Sequence, residues 1–251
     1  MIFEYSLEFR KLYFYSFVNA DGLIPERFKV IHVETSGNIV IYTIEREYVI
    51  SEQLIVDLAS HIKEIYCSCN KTINYQSLSL LPSHNWHEYI DLWSCHNSEF
   101  KSTLNFTPKA RKNCIILGSF FMISDKHIYC CKCYKDRIFY NEVNMSISND
   151  DIIYMAFCKY FESNTYFYIN ERTEIILFGK SYIGDTKNGR MYPALKVGFK
   201  SVKSIERESE LMNDFFRKRI FHIMEKNKID IKILDYDISF IPKSTPAKVM
   251  L

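Results

Sequence analysis

The chain has 251 residues, of which 47% are hydrophobic and 25% are charged, and its formal net charge is +2. This size permits a full hydrophobic core, in one large β-rich domain or in two small ones. The near-neutral charge argues against a protein that holds nucleic acid through a broad basic face, and only 7 glycines and 6 prolines argue against low-complexity linkers.

The first residues, MIFEYSLEFRKLYF, mix charged with apolar side chains. Glu4, Glu8, Arg10 and Lys11 interrupt the apolar run, so we expect neither a signal peptide nor a membrane span. Without a secretory signal, the 8 cysteines are expected to be thiols or metal ligands rather than disulfides. These features predict an intracellular protein of the nucleus, the cytoplasm or both.

The first half of the chain has the pattern of short strands separated by turn residues. The four predicted N-terminal strands are Ile2–Leu7, Leu12–Val18, Phe28–Val33 and Ile39–Ile44. Ile62–Cys69 is typical of a further strand that enters a tight turn, and Ile73–Leu81 is its expected return strand. The pattern favours an antiparallel sandwich or an open barrel.

An aromatic helix is predicted next, with Ser83 as its N-cap and its end near Cys95. Trp86, Ile90 and Trp93 recur at a spacing that places them on one helical stripe. Strand patterns then return, at Cys114–Leu117, Ser119–Ile123 and His127–Cys130.

The C-terminal part mixes helices with strands. Asp150–Phe161 fits a helix, although its apolar run also allows a strand. Buried strands are expected at Glu174–Phe178 and Ala194–Phe199. The clearest long helix is Glu208–Asn227, followed by one strand-like segment at Ile229–Ile241. The buried stripe of that helix is predicted to contain Met212, Phe216, Ile220 and Ile223.

Together these elements predict an α+β protein that is mostly antiparallel β, with a few helices and a zinc knuckle. A short polar stretch suggests a β-rich region at residues 1–145 and an α+β region at residues 146–251 packed on it. The alternative is one continuous domain.

Two cysteine clusters are the best candidates for a metal site. Cys67 and Cys69 form one short pair, and Cys130 and Cys133 form the other with C-x-x-C spacing. Two such knuckles on hairpins can present four thiolates to a structural zinc ion. Reduced buried thiols are the alternative, followed by redox or catalytic use. Whether Cys130 or its neighbour Cys131 coordinates stays open.

The remaining candidates for chemistry are weaker. Cys95 and His96 are adjacent, and neighbouring residues rarely orient a thiol and an imidazole toward each other for catalysis. Cys114 and Cys158 lie in apolar runs and are expected to pack in the core. Gly179-Lys-Ser181 imitates the end of a phosphate-binding loop, but the upstream glycine is absent and no helix pattern follows.

The segment LLPSHNWHEYIDLWSCHNSEF resembles the HECT-like family that binds ubiquitin-conjugating enzymes. The family's L-P-S-x-N-W and W-x-C-H elements correspond to residues 81–86 and 93–96, and its G-x-S-F-F-like strand to Gly118–Phe121. Its two cysteine pairs correspond to the clusters named above. ALKVGF, at Ala194–Phe199, is similar to its C-terminal strand.

The resemblance implies two functions. Family members are ubiquitin ligases of a HECT-like kind, and some are tied to mRNA 3′-end cleavage and polyadenylation through the zinc-dependent endonuclease of that machinery. We expect an interaction protein that binds and controls this endonuclease. On this hypothesis the partner-docking residues are Trp86, Trp93, Cys95 and His96.

The second hypothesis is a ubiquitin-protein ligase that accepts ubiquitin from a conjugating enzyme through a cysteine thioester. No cysteine lies in an evidently activated setting, which places binding before catalysis and leaves the catalytic residue unknown. A third is a zinc-stapled scaffold that binds RNA through Arg217–Arg219, although such runs are usually solvated faces. We expect no membrane partner and no direct binding of nucleic acid.

Overall fold

The computed structural model describes residues 2–6, 11–16, 29–36, 39–45, 60, 62–81, 108–125, 137–170, 172–185, 190–203 and 214–244. Contacts divide the chain into two compact units. The first unit is Met1–Val56 together with Thr165–Leu251, and the second unit is Asp57–Asn164. The boundary predicted at residue 145 falls inside the second unit.

The described elements follow in chain order. The strands are β1 (Ile2–Ser6), β2 (Lys11–Ser16), β3 (Lys29–Ser36), β4 (Ile39–Glu45), β5 (Ile65–Cys67), β6 (Ser77–Leu80), β7 (Cys114–Leu117), β8 (Phe121–Ser124), β9 (Arg137–Phe139), β10 (Val143–Met145), β11 (Tyr166–Asn170), β12 (Thr173–Asp185), β13 (Met191–Ser201), β14 (Ile229–Ile233) and β15 (Tyr236–Pro242). The helices are α1 (Asn149–Tyr160) and α2 (Asp214–Lys226), with a 3₁₀ turn at Tyr140–Glu142.

The first unit is built on a nine-stranded antiparallel sheet. Its strand order is β14-β15-β13-β12-β1-β2-β4-β3, and β11 pairs with the first part of β12. The four strands predicted from the N-terminal sequence are confirmed, as β1 to β4. The two predicted buried strands are the first part of the longer β12 and the central part of the longer β13.

Helix α2 covers one face of this sheet. Ser239 on β15 donates a hydrogen bond to the carbonyl oxygen of Met224, at 2.6 Å. Phe216, Ile220 and Ile223 are buried, as predicted, while Met212 lies outside the described residues. Ser239 alternates along its strand with Phe240, so the side chain of Phe240 belongs to the opposite face of the sheet.

The C-terminal strand prediction is wrong in one respect. Ile229–Ile241 is a hairpin rather than one strand, because the backbone turns at Leu234 and Asp235, whose φ angles are 50° and 68°. Two successive left-handed residues make the turn that joins closely paired antiparallel strands. Leu234 is 80% exposed at the tip, and leucine gives no turn signal in the sequence.

The second unit contains two small sheets. One has the order β6-β7-β8-β9, and the other pairs β5 with β10. The possible return of Ile73–Leu81 along β5 is found only at its start, where Thr72 bridges Tyr66 and the amide of Ile73 donates to the carbonyl of Ile65 at 2.8 Å. The chain then leaves β5, and β6 pairs in parallel with β7. The physical reason is that the amide of Leu81 finds its acceptor at Leu117, at 2.7 Å.

A tight turn at Gly118 joins β7 to β8 in the segment that resembles G-x-S-F-F. The amide of Gly118 donates to the carbonyl of Phe121 at 2.8 Å. A Cβ at Gly118 would lie 2.7 Å from the Phe121 ring, so the close approach requires glycine. The neighbouring Phe120 packs edge-on against Phe157 of α1, with ring centroids 5.9 Å apart.

The apolar segment Asp150–Phe161, whose sequence allows a helix or a strand, forms helix α1. Its N-cap is Ser148, whose hydroxyl accepts a hydrogen bond from the amide of Asp151 at 3.1 Å. The described part of the chain is therefore α+β and mostly antiparallel, as predicted, and its large sheet does not close into a barrel. No described helix is long and apolar enough to cross a membrane.

Candidate functional site

The Cys67–Cys69 pair sits on a tight hairpin at the end of β5. The amide of Cys67 donates to the carbonyl of Lys71 at 3.0 Å, and the amide of Asn70 donates back to the carbonyl of Cys67 at 2.8 Å. Asn70 has a φ of 60°, a left-handed conformation that asparagine tolerates well. The predicted tight turn after the strand is confirmed.

The turn brings the two sulfur atoms together. The Sγ atoms of Cys67 and Cys69 are 2.6 Å apart. Two thiolates on one tetrahedral zinc would lie about 3.8 Å apart, given Zn–S bonds of about 2.3 Å. The pair must therefore open by roughly 1 Å to hold the metal. Cys67 is buried and pairs with β10, whereas Cys69 is exposed. The two thiols are the right kind of ligand for half of a zinc site, but as they stand they are too close together for it.

The other predicted site residues lie outside the described part of the chain. The second knuckle residues Cys130 and Cys133 are among them, as are all four predicted docking residues, Trp86, Trp93, Cys95 and His96. Within the described ranges, no group of three or more His, Cys, Asp or Glu side chains is placed to hold a metal ion. The four-thiolate site stays a prediction.

Two further cysteines are described, and each is half-buried. Cys114 opens β7, and its sulfur accepts a hydrogen bond from the hydroxyl of Ser77 at 3.0 Å. Cys158 lies in helix α1. Both are therefore partly exposed packing positions rather than fully buried core residues.

Sequence reasoning missed a buried polar cluster in the first unit. Glu4 on β1 is 1% exposed, and three donors surround its carboxylate. Lys196 on β13 donates to Glu4 Oε2 at 2.7 Å, and Ser181 on β12 donates to Oε1 at 2.7 Å. The phenol of Tyr15 on β2 also donates to Oε2. We call these four residues the Glu4 cluster.

The Glu4 cluster favours the protonated form of the Tyr15 phenol. Burial, together with the negative charge of Glu4 and the hydrogen bond to it, raises the pKa of Tyr15 well above 10.0. Both oxygens of Glu4 already accept hydrogen bonds. Three donors hold this carboxylate in place, so the geometry favours a fixed ion pair over a general base.

A cavity of about 510 Å³ lies over the Glu4 cluster. Its apolar lining includes Ile41, Phe178, Ile229, Ile231 and Ile238. Glu34 and Ser36 of β3, and Lys232 and Ile233 of β14, complete it. Because β3 and β14 are the two ends of the strand order, the sheet curls until both ends face the same space.

A second carboxylate–lysine cluster lies at one end of β12 and β13. Glu174 accepts hydrogen bonds from the phenols of Tyr236 and Tyr168, the latter at 2.9 Å, and lies 3.6 Å from the ammonium of Lys200. Burial disfavours the charged form of Glu174, but the two phenols and Lys200 outweigh it and lower the pKa of the carboxyl. We call these four residues the Glu174 cluster.

The sequence did carry a signal for the Glu4 cluster. Glu4 interrupts the apolar run of β1, and Lys196 interrupts ALKVGF in β13. A charge inside a predicted buried strand needs a partner in the folded chain. The sequence alone does not say which charge meets which, since Glu4 and Lys196 are 192 positions apart.

Comparison with known proteins gives no relative: no protein-family model, curated protein or solved structure matches this chain.

Proposed function

We propose that this chain is an interaction protein of the ubiquitin-ligase-like kind that binds and controls the mRNA 3′-end cleavage endonuclease. The observation that supports this most is the convergence of the Cys67 and Cys69 sulfurs at 2.6 Å on a tight hairpin. The resemblance expects a cysteine knuckle at this point of the chain. The close turn at Gly118 and the strand position of Ala194–Phe199 agree with the same resemblance.

Zinc fits the proposal as a structural ion. Cys67 and Cys69 would supply two thiolates, and Cys130 and Cys133 the other two. When bound, zinc would stabilise the second unit by adding metal–ligand free energy to a small domain. Cys67 is held by its backbone bonds to the turn and by β10, so it fixes the position of the site, while the exposed Cys69 adjusts to the ion.

The alternative function is a ubiquitin ligase that carries ubiquitin as a cysteine thioester. The observation that favours it is the exposure of Cys69, since a thiol that accepts ubiquitin must be reachable by the conjugating enzyme. An exposed thiol alone does not make a nucleophile, which also needs a base or a lowered pKa. Binding therefore remains the first proposal.

The deciding experiment is affinity purification from native extract with three matched forms. They are the wild type, the double variant Cys67→Ser/Cys69→Ser, and Cys114→Ser as a control outside the hairpin. We expect the wild type and the control to recover the cleavage endonuclease and to contain one equivalent of zinc per chain. We expect the double variant to lose most of both.

Other outcomes discriminate clearly. Failure of the wild type to recover the endonuclease contradicts the proposal. Recovery of a ubiquitin-conjugating enzyme alone, with a thiol-sensitive ubiquitin adduct that disappears in Cys69→Ser, supports the ligase instead. Full recovery of the endonuclease by a zinc-free double variant would show that the hairpin does not carry the docking surface.

A further inference from the structure

The cavity over the Glu4 cluster has the size and lining of a ligand site. Its volume of about 510 Å³ falls within the range of about 300 to 1,000 Å³ that is usual for small-molecule pockets. Its walls carry five isoleucines and three aromatic rings, and its polar groups lie at the Glu4 cluster and at the mouth. Such a pocket buries most of an apolar molecule and orients it through a few polar contacts.

The charges of the lining exclude an ionised ligand. The ammonium of Lys196 and the carboxylate of Glu4 neutralise each other at 2.7 Å. At the mouth, Glu34 on β3 and Lys232 on β14 again contribute one charge of each sign. An ionised group in the depth of the cavity would meet only the paired Glu4 and Lys196, without an opposite charge left to pair it.

One hydrogen-bond donor of the cluster remains available to a ligand. An ammonium has three protons, and Lys196 directs two of them to Glu4 and to the Tyr15 hydroxyl, at 2.7 and 3.2 Å. Its distances to the neighbouring aromatic rings, 5.7 to 5.9 Å, are near the outer limit of cation–π contact. Within the described chain, the third proton therefore lacks a close acceptor.

We propose that this cavity binds an uncharged, largely aliphatic small molecule with one hydroxyl or carbonyl oxygen, which accepts a hydrogen bond from Lys196. The aliphatic part lies against the isoleucines of β4, β14 and β15. Ser181 and Tyr15 keep Glu4 satisfied, so that Lys196 can donate to the ligand without losing its counter-charge. This site belongs to the first unit and is independent of the proposed cysteine knuckle.

The test uses the full chain and the neutral fluorophore N-phenyl-1-naphthylamine. Decanol, decanoate and protonated decylamine are then compared as competitors, since they share one chain and differ in charge. We expect saturable binding of the fluorophore at one site, and displacement by decanol at a concentration at least about tenfold lower than by either ion, which corresponds to about 1.4 kcal/mol.

Two exposed branched aliphatic residues, one inside and one outside the cavity lining, give a matched pair of variants. Ile233 lines the mouth of the cavity and is 36% exposed, whereas Val33 lies on β3 outside the lining and is 51% exposed. Ile233→Trp should weaken decanol binding at least about fivefold by narrowing the entrance, and Val33→Trp should leave it unchanged. Because both side chains are exposed, neither substitution should disturb the fold, and circular dichroism provides the control.

The double variant Glu4→Gln/Lys196→Met tests the polar contact, because it removes both charges together and leaves neither one buried alone. Decanol should lose its advantage over decane in this variant while still displacing the fluorophore. Absence of saturable binding in the wild type overturns the proposal, as does equal weakening by Ile233→Trp and Val33→Trp. Displacement by decanoate or decylamine as strong as that by decanol overturns the assignment of an uncharged ligand. None of these results depends on whether the cysteine hairpin binds a partner.

Discussion

The Glu4 and Glu174 clusters have the same chemistry but different surroundings. In each, one carboxylate accepts hydrogen bonds from tyrosine and lies beside a lysine of β13, Lys196 or Lys200. The side chains of Glu4 and Lys196 are 1% and 17% exposed, whereas those of Glu174 and Lys200 are 11% and 34% exposed.

The position in the sheet explains this difference. Glu4 lies on β1, which is flanked by β12 and β2 and faces the cavity. Glu174 is the second residue of β12 and pairs with Lys200 near the end of β13. Water reaches the ends of strands more easily than their centres. Loss of one partner should therefore be costly in the buried Glu4–Lys196 pair. It should be better tolerated in the more exposed Glu174–Lys200 pair.

The largest effect is expected from Glu4→Gln. Removal of this charge leaves the ammonium of Lys196 buried without a counter-ion, which should lower the free energy of unfolding by about 3 to 5 kcal/mol. The matched change Glu174→Gln should cost only about 1 kcal/mol, because water can replace part of what is lost. Urea denaturation at neutral pH measures both. Equal losses would show that burial does not separate the two clusters.

The tyrosine hydroxyls should give the next largest effect. Tyr15→Phe removes a donor to a fully buried carboxylate and should cost about 2 kcal/mol, while Tyr236→Phe should cost about 1 kcal/mol. Thermal unfolding of the two variants beside the wild type provides the comparison. A greater loss for Tyr236→Phe than for Tyr15→Phe would reverse the assigned order.

The free energy of unfolding at acidic pH should depend on the protonation of Glu174. Its folded-state pKa is lower than the ordinary 4.5, so the unfolded chain binds this proton more tightly than the folded one. The carboxylate therefore stabilises the fold above pH 4.5, and this contribution is lost as the pH falls through the folded pKa. The difference in unfolding free energy between wild type and Glu174→Gln should shrink on acidification, and a constant difference would contradict it.

The smallest effect is expected from Lys200→Met. The Lys200 ammonium lies 4.0 Å over the Tyr236 ring and is partly solvated, so salt and water screen its attraction to Glu174. The midpoint of thermal unfolding should change less than for Tyr236→Phe, and the difference from wild type should fall further in molar salt. A drop comparable to that of Glu4→Gln would place Lys200 among the buried charges.

Local structure could be predicted from the sequence where the pattern is local. Strands β1 to β4 follow from β-branched and aromatic runs between turn residues, whereas the apolar run of α1 fits either a helix or a strand. The hairpin of β14 and β15 was missed because Leu234, which has a φ of 50°, is not a turn-forming residue. The parallel pairing of β6 with β7 depends on a partner about 37 positions away, which periodicity does not reveal.

The candidate sites divide in the same way. The turn at Cys67 and Cys69 was predictable because it is formed within a few residues. The Glu4 cluster was not, because its partners come from β2, β12 and β13. A buried charge signals that a partner exists, but only the tertiary fold identifies it.

Because β1 pairs with β12, the sheet around β1 cannot be completed until β12 has been synthesised. Ser6 is hydrogen-bonded in register with Ser181, so the ribosome must add about 175 further residues before β1 can meet this neighbour. At roughly 5 to 20 residues per second, that interval is about 10 to 35 s. During this time one edge of the nascent N-terminal strands stays open to wrong pairing, while the whole sequence of the second unit, Asp57–Asn164, is already made. The strand that carries Glu4 is thus translated well before β12, and it gains this neighbour only after the sequence of the second unit is complete.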